Sequence, residues 1–414
     1  MKHFKYIILG GGTTAGYAAE EFVEQGIDKG ELAIVTAESI LPMNRPPMSK
    51  GFMTDDAGMD EILINTKKFY QEHGIEIFLE TCAKSVSFGA KRVELDNGDS
   101  LEYEKLLIAL GSKLIKLSLP GSDLKNIFYL RNLPQAKKIR EAAGKAQKAI
   151  VVGGQYIGTE MAASLNQMGL EVTMVFPEDR LLSKFATVDV AAFFQNYFRE
   201  KGVELIKKDE VIKFIGDENI EKVELKSGKV LETDMVVAGV GVEPNVKLFE
   251  DSGLNISTGI VVNEFCETNV PDVYAAGDIA QFPDLIFDKI RHVEHWENAF
   301  EQGKHAAKVM TGKREPYIFL PYFFSDVFDL SYEYFGDNHT TDKTYKRGSL
   351  EEGDFSTWYF EKNWLVAAFI MGSRPDEERE AAGSWIRNKT LIEDPRRIEN
   401  ANNSINDIPK ITKQ

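Results

Sequence analysis

With 414 residues, 43% of them hydrophobic and 28% charged, the chain has room for two or three globular domains and nothing that marks it as disordered. A formal net charge of −16 argues against nucleic acid as a partner, since phosphate backbones are held by basic surfaces, and an acidic protein partner would need a local basic patch. No basic leader precedes an apolar core at the N-terminus and no apolar run reaches spanning length, so a cytoplasmic protein without a membrane span is expected.

The first element organises the chain. Tyr6-Ile7-Ile8-Leu9 is a buried strand that must turn sharply at Gly10-Gly11-Gly12 into a helix carrying Ala15, Ala18, Ala19, Phe22 and Val23 on one face. Gly10 supplies the unusual backbone angles, Gly12 lets the backbone approach a pyrophosphate, and Ala15 or Gly16 permits close helix-strand packing. Gly26 stops the helix, and the strand from Leu32 leads to Glu38, an acid suited to ribose hydroxyls. The helix N-terminus, with its unpaired N–H groups, would face the phosphates.

Next comes a proline-stiffened loop, Pro42 to Lys50, leading into a helix start; its cations Arg45 and Lys50 suit either a bound cofactor or a solvated turn. Short strands follow around Glu76–Leu79, Lys91–Leu95 and Leu106–Ala109, with a turn at Asp96-Asn97-Gly98. A crossing into a second unit is expected near Pro120-Gly121-Ser122, with a polar helix over residues 135–146. Cys82 and Cys266 stand outside any Cys-x-x-Cys spacing, so neither a disulfide framework nor a metal site is signalled, and both are expected to be buried structural thiols.

A second copy of the opening pattern starts at Ala149: a strand, Gly153-Gly154-Gln155-Tyr156-Ile157-Gly158, a helix stopped by Gly169, and a strand from Val172 leading to Glu178. One glycine-rich turn is weak evidence, but two in the same strand-turn-helix-strand-acid order indicate two dinucleotide sites. Glu178 favours NADH over NADPH, because a carboxylate repels a 2′-phosphate. Gln155 occupies the position of the second motif glycine. Either the phosphates retreat from its side chain or its amide donates to them; retreat is expected, with NADH bound roughly ten-fold or more weakly than in a glycine form.

Residues 234–245 form a buried strand ending in a turn at Gly241 that leaves this unit. Val273 to Ala280 is a strand and a tight turn with Asp278, which either accepts sugar or ribityl hydroxyls or caps a helix. His292 and His295 precede a helix, without a third ligand at a recognisable spacing, so no metal site is expected. Beyond Pro316 the aromatic-rich sequence, with a helix near residues 375–387, reads as a small α+β domain. The polar tail from Glu399 to Gln414 is expected to be mobile.

The stretch Phe4–Ala19, Arg45-Pro46 with Ser49-Lys50, Val273–Asp278, Val293-Glu294-His295 and Pro321-Tyr322-Phe323 with Phe328-Asp329-Leu330-Ser331 resemble the FAD-dependent pyridine nucleotide oxidoreductases, and within them the monodehydroascorbate reductases. The likeness covers nearly the whole chain. It implies an α/β fold of two Rossmann-like domains and a small C-terminal α+β domain: an FAD-binding domain at residues 1–117 and 246–315, an NAD(P)H-binding domain at 118–245, and a C-terminal domain at 316–414. By this resemblance Gly10, Gly12, Ala15, Glu38, Arg45, Lys50, Asp278, Glu294, His295 and Trp296 would serve noncovalent FAD. Gly153, Gly154, Gln155, Tyr156, Ile157, Gly158, Glu178 and Gly241 would serve NADH, with NADPH possible. Lys50 looks like the family lysine that pairs with the glutamate of the second glycine motif, here Glu160, beside the reacting flavin; the two are the candidate catalytic residues.

Departures narrow the chemistry. The disulfide-reducing relatives carry paired cysteines near the position of Leu41–Arg45, and none stand there, so a flavoenzyme that takes a hydride from NADH and passes electrons to a one-electron acceptor is expected. Where monodehydroascorbate reductases place an arginine for their anionic substrate, Asp326 stands, and a unit charge pair at ~4 Å and an effective dielectric near 20 is worth ~4 kcal/mol. Trp358 takes the place of a family tyrosine thought to touch substrate. Phe323 to Asp326 also resembles the ferredoxin and rubredoxin reductases and the apoptosis-inducing-factor branch. Three functions stay open: electron delivery to a small redox protein or quinone-like molecule, reduction of the ascorbate radical, and a redox-controlled binding protein.

Overall fold

The computed structural model describes residues 2–54, 58 and 62–411. Two segments share one design. In the first, β1 (Lys2–Leu9) turns into α1 (Thr13–Glu24) and returns as β2 (Leu32–Val35). In the second, β3 (Lys148–Val152), α2 (Tyr156–Gln167) and β4 (Glu171–Phe176) repeat the sequence. Both strand pairs are parallel, Tyr6 opposite Leu32 and Ala149 opposite Val172. The turns require glycine: Gly10 and Gly153 have φ of +124° and +123°, and a Cβ would lie 2.1 Å from the Ala109 carbonyl oxygen or 2.4 Å from that of Gly239. Gly26 (φ +77°) and Gly169 (φ +95°) follow the two helices in the left-handed conformation that ends them.

The chain folds as two compact units, Met1–Arg45 with Gly58–Lys113 and Val242–Pro321, and Pro46–Ala57 with Leu114–Gly241 and Tyr322–Gln414. The first is built on a seven-stranded sheet in the order Glu76–Phe78, β2, β1, Ser100–Ile108, Arg92–Leu95, Ala83–Ser87, with Val273–Ala275 also paired to Ser100–Ile108. It is parallel around β1 and antiparallel at residues 83–102. Because β1 alternates, Ile7 and Leu9 join one apolar layer with Leu106 and Phe282, while Ile8 joins the other with Ala18 and Phe22. On that second side α3 (Trp296–Met310) lies so close to α1 that a Cβ on Gly303 would be 2.5 Å from the Thr14 carbonyl oxygen.

The second unit contains a five-stranded parallel sheet, Glu204–Lys207, β4, β3, Met235–Ala238, Ile127–Phe128, and an antiparallel hairpin sheet over residues 211–232. Its other half is a five-stranded antiparallel sheet, β5 (Tyr322–Val327), Leu330–Gly336, Trp364–Met371, Asp354–Glu361, Lys343–Ser349, with α4 (Asp376–Arg387) packed on it. The aromatic-rich sequence beyond Pro316 is therefore core, with Tyr332, Phe355, Phe360 and Phe369 fully buried.

Two expectations are corrected here. The tail is not loose over the described residues: the Arg347 guanidinium donates to the carbonyls of Ile398 (3.1 Å), Asn400 (2.7 Å) and Asn403, and Ile405 and Ile408 are buried. Polar side chains hid a tail whose backbone carbonyls are the ligands; residues 412–414 lie outside the described part. Cys82 is exposed, in the short connection between the strands Glu76–Phe78 and Ala83–Ser87, whereas Cys266 is fully buried, with burial pushing its thiol pKa up.

Candidate functional site

The first turn of α1 has no side-chain cap and no acidic residue, and Gly12 occupies the N-cap position with an ordinary φ of −89°. Other helices stabilise their own N-termini: Leu133–Ala143 with an Asn132–Gln135 capping box, Val188–Glu200 with Thr187, and α4 with Asp376, Glu377 and Glu378. Bare N–H groups at α1 suit an anion. Arg45 and Glu38 stand beside them: Arg45 Nη2 is 3.3 Å from where a Gly12 Cβ would be and 3.7 Å from Glu38 Oε1.

A second group forms around Asp278, which is buried and accepts from the Ser112 hydroxyl at 2.6 Å rather than capping a helix. Its carbonyl oxygen lies 2.7 Å from His292 Nε2, and the preceding Gly277 (φ +78°) donates its N–H to Gln302 Oε1 at 2.8 Å. At the start of α3 the Trp296 indole donates to Asn44 Oδ1 at 2.8 Å, and the Tyr17 hydroxyl donates to the same oxygen at 3.3 Å. Glu294 and His295 immediately precede that helix, His295 as its N-cap. An uncapped anion-binding turn, a flanking acid and guanidinium, and a buried carboxylate fit FAD. Ala15 does not contribute a contact: it is fully buried, and its role is helix-strand packing. Ser112, Gln302, Asn44 and His292 were not foreseen as supports, since only the fold brings them to these groups.

Glu297, in the first turn of α3, is pushed up to about 7 by burial and by the neighbouring Glu301 carboxylate. Between the ordinary value of 4.5 and about 7 the unfolded chain has released this proton while the folded chain keeps it, so this group makes stability fall as pH rises through that window and adds nothing further above it. The Glu297→Gln apoprotein should lose that part of the slope. Melting temperatures of both forms at pH 5 and pH 8 test this; parallel pH profiles would refute it.

In the second cradle α2 also starts without a side-chain cap or an acid. Gln155, its N-cap residue, turns its amide away from any phosphate role: Nε2 donates to Ser183 Oγ at 2.9 Å and to Glu178 Oε1 at 3.2 Å. Both amide protons are thus occupied, which removes the amide-to-phosphate alternative. The other glycines are there for packing as well as for approach: a Cβ on Gly154 would meet the Phe176 ring at 2.8 Å, and one on Gly158 the Gly153 carbonyl oxygen at 2.1 Å. Tyr156 stacks on Phe185 with centroids 5.6 Å apart and meets Phe323 edge-on at 4.4 Å, Ile157 is exposed, and Gly241 has φ +106°.

The same unit holds a charge cluster. Glu160 Oε1 accepts from Ser325 Oγ at 2.6 Å and Oε2 from the Ser49 hydroxyl, and Lys50 Nζ lies 3.5 Å from Oε1. Lys50 pairs more closely with Asp326, at 2.8 Å, and lies 4.8 Å over the Phe324 ring. The Glu160 side chain is 7% exposed and that of Asp326 46%, so the buried carboxylate is held by two hydroxyl donors and shares the one Lys50 cation with the outer carboxylate. Asp326 is therefore not the uncompensated charge expected from its position. Trp358 is corrected outright as a substrate contact: it is 0% exposed, packs against Trp385, and its indole donates to Ser356 at 2.8 Å.

Residues 4–303, which carry both cradles, match the family model of the pyridine nucleotide-disulphide oxidoreductases. The chain belongs to that family. Residues 320–405 match the model of the monodehydroascorbate reductase 3-like C-terminal domain. The chain is 38% identical to a monodehydroascorbate reductase of Pisum sativum over 94% of its length and 96% of the relative's. It is 36% identical to the cytosolic monodehydroascorbate reductase 4 of Oryza sativa subsp. japonica over 92% and 93%. Among solved structures it resembles a chain of the covalent putidaredoxin reductase-putidaredoxin complex, with a TM-score of 0.91 and 27% identity over 97% and 96% of the two chains. The family resemblance and the fold expected of it hold: two parallel Rossmann-like sheets with an antiparallel C-terminal part, in an NAD(P)H-dependent flavin oxidoreductase. This family uses FAD and NAD(P)H. Among the described residues no helix is long and apolar enough to cross a membrane.

Proposed function

We propose that this family member is a cytoplasmic NADH-dependent flavoenzyme that passes electrons singly to a quinone-like molecule or a small redox protein. Bound FAD would supply hydride acceptance and one-electron release. Gly12, Glu38, Arg45 and Asp278 would hold it in the domain of residues 1–117 and 246–315. The second cradle, in residues 118–245, would hold NADH, and residues 316–414 would form the C-terminal domain. Lys50 and Glu160 are assigned to the reacting centre. Asp326 carries the reading: an outward carboxylate on Lys50 is a poor receptor for a small anion.

A second reading, reduction of the ascorbate radical, is supported by the whole-chain similarity to monodehydroascorbate reductases. Reoxidation of the NADH-reduced protein separates the two, using a neutral quinone, rubredoxin, ferredoxin and the ascorbate radical as acceptors. The quinone or a redox protein should react fastest. Because Lys50 already offsets part of the Asp326 charge, Asp326→Asn should raise kcat/KM for the radical by only ~10-fold, about 1.4 kcal/mol. A radical that is the fastest acceptor of the wild type, and indifferent to this substitution, would establish the second reading.

A further inference from the structure

The Gln155 side chain occupies the position from which the glycine motif normally excludes side chains, yet it is not idle bulk. Its amide nitrogen bridges Glu178 Oε1 and Ser183 Oγ. The backbone repeats the tie, since the Leu182 N–H donates to the Gly154 carbonyl at 2.9 Å. Residues 178–183 are thus fastened to the glycine turn at three points, and the Glu178 carboxylate has one oxygen held. The other oxygen, Oε2, is buried without a hydrogen-bond partner, and so is Gln155 Oε1. Two buried acceptors with no protein donor, on side chains that already touch, call for a ligand that brings hydroxyl donors, because a buried unpaired acceptor is costly.

We infer that Gln155 is a specificity-determining residue: it holds Glu178 and, with its own amide oxygen, completes a paired acceptor for the adenosine ribose diol that rejects a 2′-phosphate. This rests on the second cradle being the nicotinamide-nucleotide site. A vicinal diol can give one O–H to each of the two oxygens. A 2′-phosphate replaces one hydroxyl donor by a mostly dianionic acceptor at neutral pH and adds about −1.5 to −2 of charge beside a carboxylate. An acid alone would disfavour NADP by charge; the clamp adds geometry, because the amide stops the carboxylate from rotating away from the incoming nucleotide.

The test uses the FAD-loaded protein and the oxidised nucleotides, so that binding is read without turnover. Dissociation constants of NAD and NADP are measured by titration calorimetry for the wild type, Gln155→Leu, Gln155→Gly and Ser183→Ala. Leucine keeps the bulk and removes both the amide donor and the acceptor oxygen; glycine removes the bulk as well. The ratio of the NADP to the NAD dissociation constant should fall at least ~10-fold in both Gln155 variants, whichever way the absolute affinity moves, and by less in Ser183→Ala. A ratio unchanged in Gln155→Leu overturns the clamp. Equal tightening of both nucleotides in Gln155→Gly with an unchanged ratio would show that the glutamine acts by bulk alone, which also overturns it. A wild type that keeps FAD but binds neither nucleotide overturns the site assignment and the clamp together.

Discussion

Replacing Arg347 with methionine should cost the second unit on the order of 3–5 kcal/mol, because Glu378 loses one of its two guanidinium partners and three carbonyls lose their donor, each buried group left unpaired costing about 1–3 kcal/mol. Its guanidinium is 3% exposed and Glu378, 2.8 Å away, is fully buried. Arg374 and Ser356 also engage that carboxylate, so the loss is not of charge balance alone. Arg347 additionally satisfies the carbonyls of Ile398, Asn400 and Asn403, and methionine can donate to none of them. The expected signature is double: a large fall in the urea midpoint, and proteolytic clipping within residues 395–411 under conditions where the wild type resists. Arg347→Lys should recover little, because one ammonium cannot span a carboxylate and three carbonyls. An Arg347→Met protein with an unshifted midpoint and an intact C-terminus would remove the ion pair from the account of this domain.

The second large effect should separate stability from cofactor binding, with opposite signs. Gly12→Asp places a carboxylate at the N-cap of α1, where φ is −89° and a side chain meets no backbone obstruction, only Arg45 Nη2 at 3.3 Å from its Cβ. Aspartate is a better N-cap than glycine by only a few tenths of a kcal/mol, and it can also pair with Arg45. The apoprotein should therefore melt higher than the wild type. The same carboxylate takes the N–H groups and the guanidinium that a pyrophosphate needs. Losing two charge-assisted bonds at ~1.5–3 kcal/mol each corresponds to an FAD affinity lower by ~10²–10⁴-fold. Flavin absorbance per protein after incubation with excess FAD and gel filtration gives the answer, beside the apoprotein melting temperature. A yellow variant with wild-type flavin content would mean that the α1 N-terminus is not where FAD phosphate binds.

Both glycine cradles, the helix stops at Gly26 and Gly169, and the unbroken apolar run that makes β1 a buried strand were legible in the sequence. Each is a local constraint: a φ near +124° admits glycine and little else, and a strand between two layers must be apolar on both sides. The family resemblance, also a property of the sequence, pointed to Glu160 and Lys50 as a pair. What the residues could not disclose is how the charges are shared. Only the tertiary structure seats Asp326 on Lys50 more closely than Glu160, gives Glu160 its hydroxyl donors from Ser49 and Ser325, and turns the Gln155 amide toward Glu178 and Ser183. The same holds for Trp358, whose place in the sequence suggested substrate and whose sheet position buries it, and for the polar tail that Arg347 fastens through its backbone. A glycine declares its role through its own backbone, but a charge or an amide is defined by its partner, and partners distant in sequence meet only when the chain folds.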